Sequence, residues 1–433
     1  MRLTPRLALR TSFLALASIL SACTATSTAD DEEVVLEASS ALSTSVIATY
    51  ASGAATAVEA TNGKKVVFAG GTFHAVFSAG GVVRYTSSSD GITWSASQIV
   101  DATNAQHPTI AVAADGTVGV AYARGFSGGA GSVHYARRPA GGSWQTPVLV
   151  TSDGNSTSSR NPSIVADGNT MHLAWARGAR IHYASFPASQ SASLAAAEGV
   201  NSPLALGVTA SLPAVMVGPG PSGTRVIRVA FFENIGPSAG NPGTVWFHIG
   251  ERGPTSWPYP IYFDAADYTS TATVVSSSID VNPSTGDSYA AGSSIIDGAG
   301  RTFLVRENTL TPGASFVYHE ILPTSAAQIS VAARTEQCQS RFRVMVSTPW
   351  NGYGTAWVRK GTWTSGSSPT WIDPAPVSLP APSRAATALL TSKTIPGTGQ
   401  SRTYHGVFEQ VLGAGNYEYR NAFDVIDTPE SCE

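Results

Sequence analysis

Beyond residue 63 the apolar positions come in short runs of Val, Ile, Ala, Tyr, Phe and Trp that alternate with polar residues and stop at Gly, Pro or Asp-Gly. A period of two predicts β-strands, and the runs are too short and too often broken for helices. The most informative pair is HPTIAVAADGTVGVAYARG (residues 107–125) and NPSIVADGNTMHLAWARG (residues 161–178). Both carry Pro, Ile, Asp-Gly, Ala, an aromatic, Ala and Arg-Gly in the same order. Each continues into a further strand, SVHYARR or RIHYAS.

Fainter copies follow: LPAVMVGP with RVIRVAFFEN, SSIDVNPSTGDSYAAGSS with RTFLVREN, QISVAAR with RFRVMVSTPW, and AATALLTS with RTYHGVFEQV. KVVFAGG with TFHAVFSA precedes them, so seven units begin near residues 64, 107, 161, 212, 276, 328 and 385. Spacings of roughly 40 to 65 residues, with three or four strands in each unit, suit propeller blades. One such sheet cannot bury both faces alone, whereas a closed ring of sheets buries them and removes most free edges. The expected fold is all-β, a β-propeller of seven four-stranded antiparallel blades over residues 46–433. Six blades are the alternative, because the first and fifth units are the least distinct.

The stretch YTSSSDGITW (residues 85–94) falls between the third and fourth strands of the first unit. Its Ser88, Asp90, Gly91, Thr93 and Trp94 resemble the Asp-box, or bacterial neuraminidase repeat, of sialidases and related propellers. Asp and Ser oxygens there accept amide protons of the turn, Gly allows positive φ and Trp packs between sheets, so the role is structural. Trp144, Trp257 and Trp371 end degenerate copies, GGSW, PTSW and SPTW. Sialidases also place three arginines around the substrate carboxylate, the first in an Arg-Ile-Pro motif before the first box, with a tyrosine nucleophile. This chain has no arginine between Cys23 and Arg84 and no Arg-Ile-Pro. The resemblance therefore implies the scaffold and not ordinary sialidase activity.

Residues 1–22 hold Arg2, Arg6 and Arg10 and then an apolar run from Phe13 to Leu20, shorter than the roughly 18 residues of a spanning helix. LSAC, ending at Cys23, resembles the lipobox of bacterial lipoproteins and implies export with a lipid on Cys23. The protein would then be anchored at an outer membrane or cell surface, touching the membrane only through that lipid. Residues 23–45 are rich in Ser, Thr, Ala and acids and read as a tether. With Cys23 lipidated, Cys338 and Cys432 remain as a pair in an oxidising compartment, and a disulfide between them is expected. The chain has 26 Lys and Arg against 29 Asp and Glu, net −3, and loss of the three leader arginines takes it to −6. With no basic cluster, a nucleic-acid partner is not expected. The expected state is a monomer.

If the turn at residues 85–94 marks one face of the ring, the opposite face carries the starts of the first strands and the ends of the second. Matching second-strand positions hold Arg124, Arg177, Glu233, Trp350 and Glu409, and first-strand starts hold His107, Arg160 and Asn161. Varied charged and aromatic residues at repeated positions suit a glycan or other extracellular ligand. They equally suit local ion pairs on a rim. Glu233 and Glu409 are the candidate acid and base of a glycoside hydrolase if their carboxyls lie roughly 5 to 10 Å apart. His107 or a tyrosine, with Arg124, Arg160 or Arg177, is the corresponding set for a polysaccharide lyase. A protein-binding scaffold is the third alternative. No metal motif, phosphate loop or serine-nucleophile elbow is present, so neither metal nor cofactor is expected.

Overall fold

The structure, a computed structural model, describes residues 42–51, 62–125, 131–150, 159–191, 198–200, 208–238, 241–253, 257, 261–308, 317–322, 325–336, 339–348, 354–363, 368–373, 375–394, 401–413 and 415–426. Seven antiparallel sheets form a β-propeller. Blade 1 runs Val66–Ala69, Thr72–Ala79, Val82–Ser88 and Gln98–Asp101. Blade 2 runs Ala105–Val112, Val118–Arg124, Ser132–Arg138 and Val148–Leu149. Blade 3 runs Ser159–Asp167, Thr170–Arg177, Arg180–Pro187 and Glu198–Gly199. Blade 4 runs Val208–Pro219, Arg225–Ile235, Gly243–Glu251 and Ile261–Tyr268. Blade 5 runs Ala272–Val281, Asp287–Ile296, Ala299–Asn308 and Val317–Leu322. Blade 6 runs Gln328–Glu336, Gln339–Thr348, Thr355–Thr362 and Thr370–Trp371, with Val377–Ser378 also on its third strand. The seven units expected from the repeats are all present, and the only helical turn among the described residues is Pro221–Gly223.

Blade 7 departs from a simple repeat. Its first three strands are Ser383–Thr394, Ser401–Gly413 and Asn416–Ile426, and its fourth is Ser43–Ala51, from the other end of the sequence. Thr49 pairs with Glu418 and Tyr50 with Tyr417, so hydrogen bonds between distant segments close the ring. Ser43 lies in the stretch whose composition reads as tether. Cys23, Cys338, Cys432 and Trp350, and with them the lipid and disulfide expectations, lie outside the described residues.

Packing between blades explains the residue types. In Val118–Arg124 nearly every side chain is buried, because neighbouring blades cover both faces of the sheet. Large and small residues therefore alternate, and Tyr122 goes to one interface with Ala121 going to the other. Each interface has its own apolar cluster, such as Tyr85 with Val120 between blades 1 and 2, and Met345 with Phe408 between blades 6 and 7. Close approach fixes Gly119, where an added Cβ would lie 2.8 Å from the Tyr135 ring.

First strands of successive blades face one another around the axis. A hydroxyl on one accepts an amide of the next: Thr109 from Ile164 (3.4 Å), Ser163 from Val215 (3.1 Å), Ser278 from Val331 (3.1 Å), Ser330 from Ala388 (3.0 Å) and Thr387 from Lys65 (3.0 Å). These bonds satisfy backbone donors that no neighbouring strand of the same sheet can reach. In Pro-Thr-Ile, Pro-Ser-Ile and Pro-Ala-Val the staple position follows the repeat's proline, and blade 4 lacks the hydroxyl because it carries Ala214 there.

Candidate functional site

The turn at residues 88–94 is built as its sequence suggests. Asp90 Oδ1 accepts the amides of Ile92 (2.8 Å) and Thr93 (2.7 Å) and the Ser88 hydroxyl (2.8 Å), and Ser88 Oγ accepts the Gly91 amide. Burial opposes ionisation of Asp90, but these bonds outweigh it and bring its pKa down to about 2. Gly91 has φ +69°, and its carbonyl takes bonds from Ser45 and Asn421, tying the turn to blade 7. Trp94 packs with Phe73 and Tyr404 between blades 1 and 7. The Ser88 and Asp90 oxygens and the Gly91 carbonyl of this turn serve the fold.

The other end of each blade carries the remaining candidates. Arg124 pairs with Ala105, Arg177 with Ser159, Glu233 with Ala210 and Glu409 with Arg384, so second-strand ends do meet first-strand starts. At three first-strand starts a residue in left-handed backbone precedes proline: His107 (φ 51°), Asn161 (φ 51°) and Leu212 (φ 52°). A bulge breaks the register at each of them.

Residues 62–65 fill the space among these bulges. Lys65 Nζ donates to the Pro108 carbonyl (2.6 Å) of blade 2, and the Lys65 amide donates to Thr387 of blade 7. Asn62 Nδ2 donates to Asn161 (2.9 Å) and Pro213 (2.7 Å) of blades 3 and 4. Lys64 Nζ reaches Asp280 of blade 5 (3.0 Å) and the Val331 carbonyl of blade 6 (3.2 Å). One short segment thus holds each of the other six blades, and Lys65 is fully buried. An axial cavity of about 260 Å³ runs alongside Lys64, Phe68, Ile110, Ile164, Asp280 and Leu389. NGKK puts two of the chain's four lysines together just before the first strand, which was the available sequence signal.

The plug holds the bulges at Asn161 and His107, and other neighbours hold the remaining candidates. Asn161 is 9% exposed and gives its carbonyl to Asn62, while His107 sits in a bulge whose Pro108 carbonyl is held by Lys65. Glu233 is buried in blade 4 with its carboxylate 3.0 Å from His248 Nε2. Glu409 is buried in blade 7 and accepts the hydroxyl of Tyr50 on the closing strand. The two glutamates are therefore held by different neighbours within separate blades. Arg124 lies 2.5 Å from Asp101 of blade 1. Burial opposes the Asp101 charge, but bonds from Arg124, Tyr122 and Thr103 hold its pKa below the ordinary value.

Blade 3 keeps a charged corner at the rim. Arg177 lies directly opposite Arg180 across a tight turn, and Arg160 pairs with Ala176 one strand away. Burial lowers the pKa of neighbouring His182, and the charges of Arg177 and Arg180 lower it further. Like charges directly opposite are unfavourable in a sheet. Arg180 did not stand out in the sequence, because the repeats mark second-strand ends and first-strand starts and Arg180 begins a third strand. Among the described residues no group of three His, Cys, Asp or Glu is placed to hold a metal.

No protein-family model and no curated protein sequence matches the chain. Solved structures similar to it include the intramolecular trans-sialidase from Ruminococcus gnavus, at 13% identity over 89% of this chain and 98% of that one, with a TM-score of 0.44. The endosialidase of phage phi92 is 10% identical over 91% of this chain and 70% of that one, with a TM-score of 0.48. A GH43 endo-arabinanase from Bacillus licheniformis is 14% identical over 63% of this chain and 96% of that one, with a TM-score of 0.36.

Proposed function

We propose that the protein is an exported, lipid-anchored β-propeller that binds an acidic glycan at the rim of blade 3, on the face opposite the turn at residues 88–94. The observation carrying this reading is the strand register that sets Arg177 directly opposite Arg180 at the rim, where their like charges repel, with Arg160 on the neighbouring strand. A carboxylate-bearing sugar would relieve that repulsion and accept paired N–H groups from a guanidinium. The plugged axis favours a ligand lying across the rim over one entering the channel. Burial of Glu233 and Glu409 in separate blades favours binding over hydrolysis by that pair.

Titration with oligogalacturonate and sialyllactose, using cellohexaose as the neutral control, tests the reading. Binding of an acidic oligosaccharide without release of products is expected, weakened about tenfold or more, roughly 1.4 kcal/mol, by Arg177→Ala or Arg180→Ala. Equal binding of cellohexaose, or no binding of either acidic sugar, would overturn it.

A further inference from the structure

Two blade pairs build the same side-chain cluster. Between blades 3 and 4, His172 Nδ1 meets the Tyr183 hydroxyl (2.6 Å), Trp257 packs edge-on against Tyr183, and Arg252 lies over the Tyr183 ring. Glu198, on the fourth strand of blade 3, accepts bonds from Arg252 (3.0 and 2.7 Å) and from Trp257 Nε1 (3.1 Å). Between blades 1 and 2 the same parts recur as His74, Tyr85, Trp144 and Arg138. His74 Nδ1 is 2.8 Å from the Tyr85 hydroxyl, Trp144 packs edge-on against Tyr85, and the Arg138 guanidinium lies 4.4 Å from the Tyr85 ring centre.

One residue differs. Where blade 3 has Glu198, blade 1 has Gln98, which accepts from Arg138 (3.3 Å) and from Trp144 Nε1 (3.1 Å). The geometry is kept and the negative charge is lost. Arg252 is neutralised within its cluster, whereas among the described residues no carboxylate pairs with Arg138. Of its five N–H groups, Arg138 gives one to Gln98 and one to the Tyr85 hydroxyl (2.8 Å), which leaves a hydrogen on each terminal nitrogen.

Arg138 also borders a groove of about 560 Å³ between blades 1 and 2, within the roughly 300–1,000 Å³ typical of small-molecule sites. His74, Tyr85, Thr72 and Ser87 line it with the turns at Gly70 and Gly168. Both glycines have positive φ and open space where a Cβ would stand, so the turns leave the groove clear. Asp115 is outside the lining and accepts the Thr117 amide.

We propose that this groove, on the face of the turn at residues 88–94, binds a small carboxylate-bearing ligand of about monosaccharide size, with Arg138 as its anchor. The aromatic faces of Tyr85 and Trp144 hold the guanidinium in place, Gln98 leaves its charge uncompensated, and the hydroxyls of Thr72 and Ser87 supply neutral partners. The site is independent of the blade 3 rim. Calorimetric titration of the full-length protein with glucuronate, N-acetylneuraminate and glucose tests it. Saturable binding of at least one acidic sugar and none of glucose is expected. Gln98→Glu, which recreates the cluster of blades 3 and 4 and so preserves the fold, should weaken it about tenfold or more, as should Arg138→Gln. Arg180→Ala should leave it unchanged, which separates this site from the rim. Failure of both acidic sugars to bind, equal binding of glucose, or full affinity in Gln98→Glu would overturn the proposal.

Discussion

Lys64 Nζ lies 3.0 Å from Asp280 Oδ2, joining the first and fifth blades through the centre of the ring. The carboxylate also accepts the Ala333 amide of blade 6, so one ion pair links three blades. The two side chains are 24% and 26% exposed, which makes the pair weaker than a buried one. A double-mutant cycle of Lys64→Met and Asp280→Asn should give a coupling of about 1 kcal/mol by urea denaturation. A coupling near zero would mean that Lys64 holds the plug through the Val331 carbonyl and not through Asp280.

The hydroxyl staples between first strands are testable one at a time. Ser330→Ala removes the acceptor of the buried Ala388 amide and should cost about 1–3 kcal/mol in the denaturation free energy. Ser330→Thr keeps an oxygen at that position and should recover most of the loss. Equal destabilisation by both variants would point to packing as the cause.

Ring closure depends on a strand that the sequence conceals. The segment Ser43–Ala51 reads STSVIATYA, which continues a Ser, Thr and Ala tract, and its composition does not mark it as a strand. Its partner lies more than 360 residues away, at Asn416–Ile426. By contrast, the blades were legible because the second and third units repeat proline, Asp-Gly and an aromatic in the same order, which sets the frame for the fainter copies, and the turn at residues 88–94 was legible because the bonds that shape it, among Ser88, Asp90, Gly91, Ile92 and Thr93, are local. Glu233 and Glu409 were not, since the choice between the channel and the blade interior is made by His248 and Tyr50, which the strand register alone brings near. The plug at residues 62–65 escaped for the same reason. Removing residues 1–51 should leave blade 7 three-stranded with a bare edge, and size-exclusion chromatography should show aggregates in place of the full-length chain's state.

Glu409 belongs to that closure. Glu409→Ala leaves the Tyr50 hydroxyl without its carboxylate acceptor and should cost about 1–3 kcal/mol. Glu409→Gln keeps an oxygen there and should cost less. Neither change should alter glycan binding at the rim, and a loss of affinity without a loss of stability would return Glu409 to the candidate ligand site.

Buried histidines give the fold a pH dependence of defined sign. Burial lowers the His74 pKa from 6.5 to about 4, helped by Arg138, and burial likewise lowers that of His172 to about 4. Between those values the unfolded chain binds protons that the folded one refuses, so stability rises with pH there. Their contribution is complete above about pH 6.5, falls as the pH drops, and changes no further below about pH 4. Asp90 acts in a lower window, because its contribution is present above 3.8 and is lost as the pH falls through about 2. Thermal melts should therefore show the midpoint falling from neutral pH towards pH 4, with a shallower slope in the His74→Gln, His172→Gln double variant. An unchanged slope would mean that other groups carry the dependence, and a midpoint rising on acidification would contradict the neutral state of both rings.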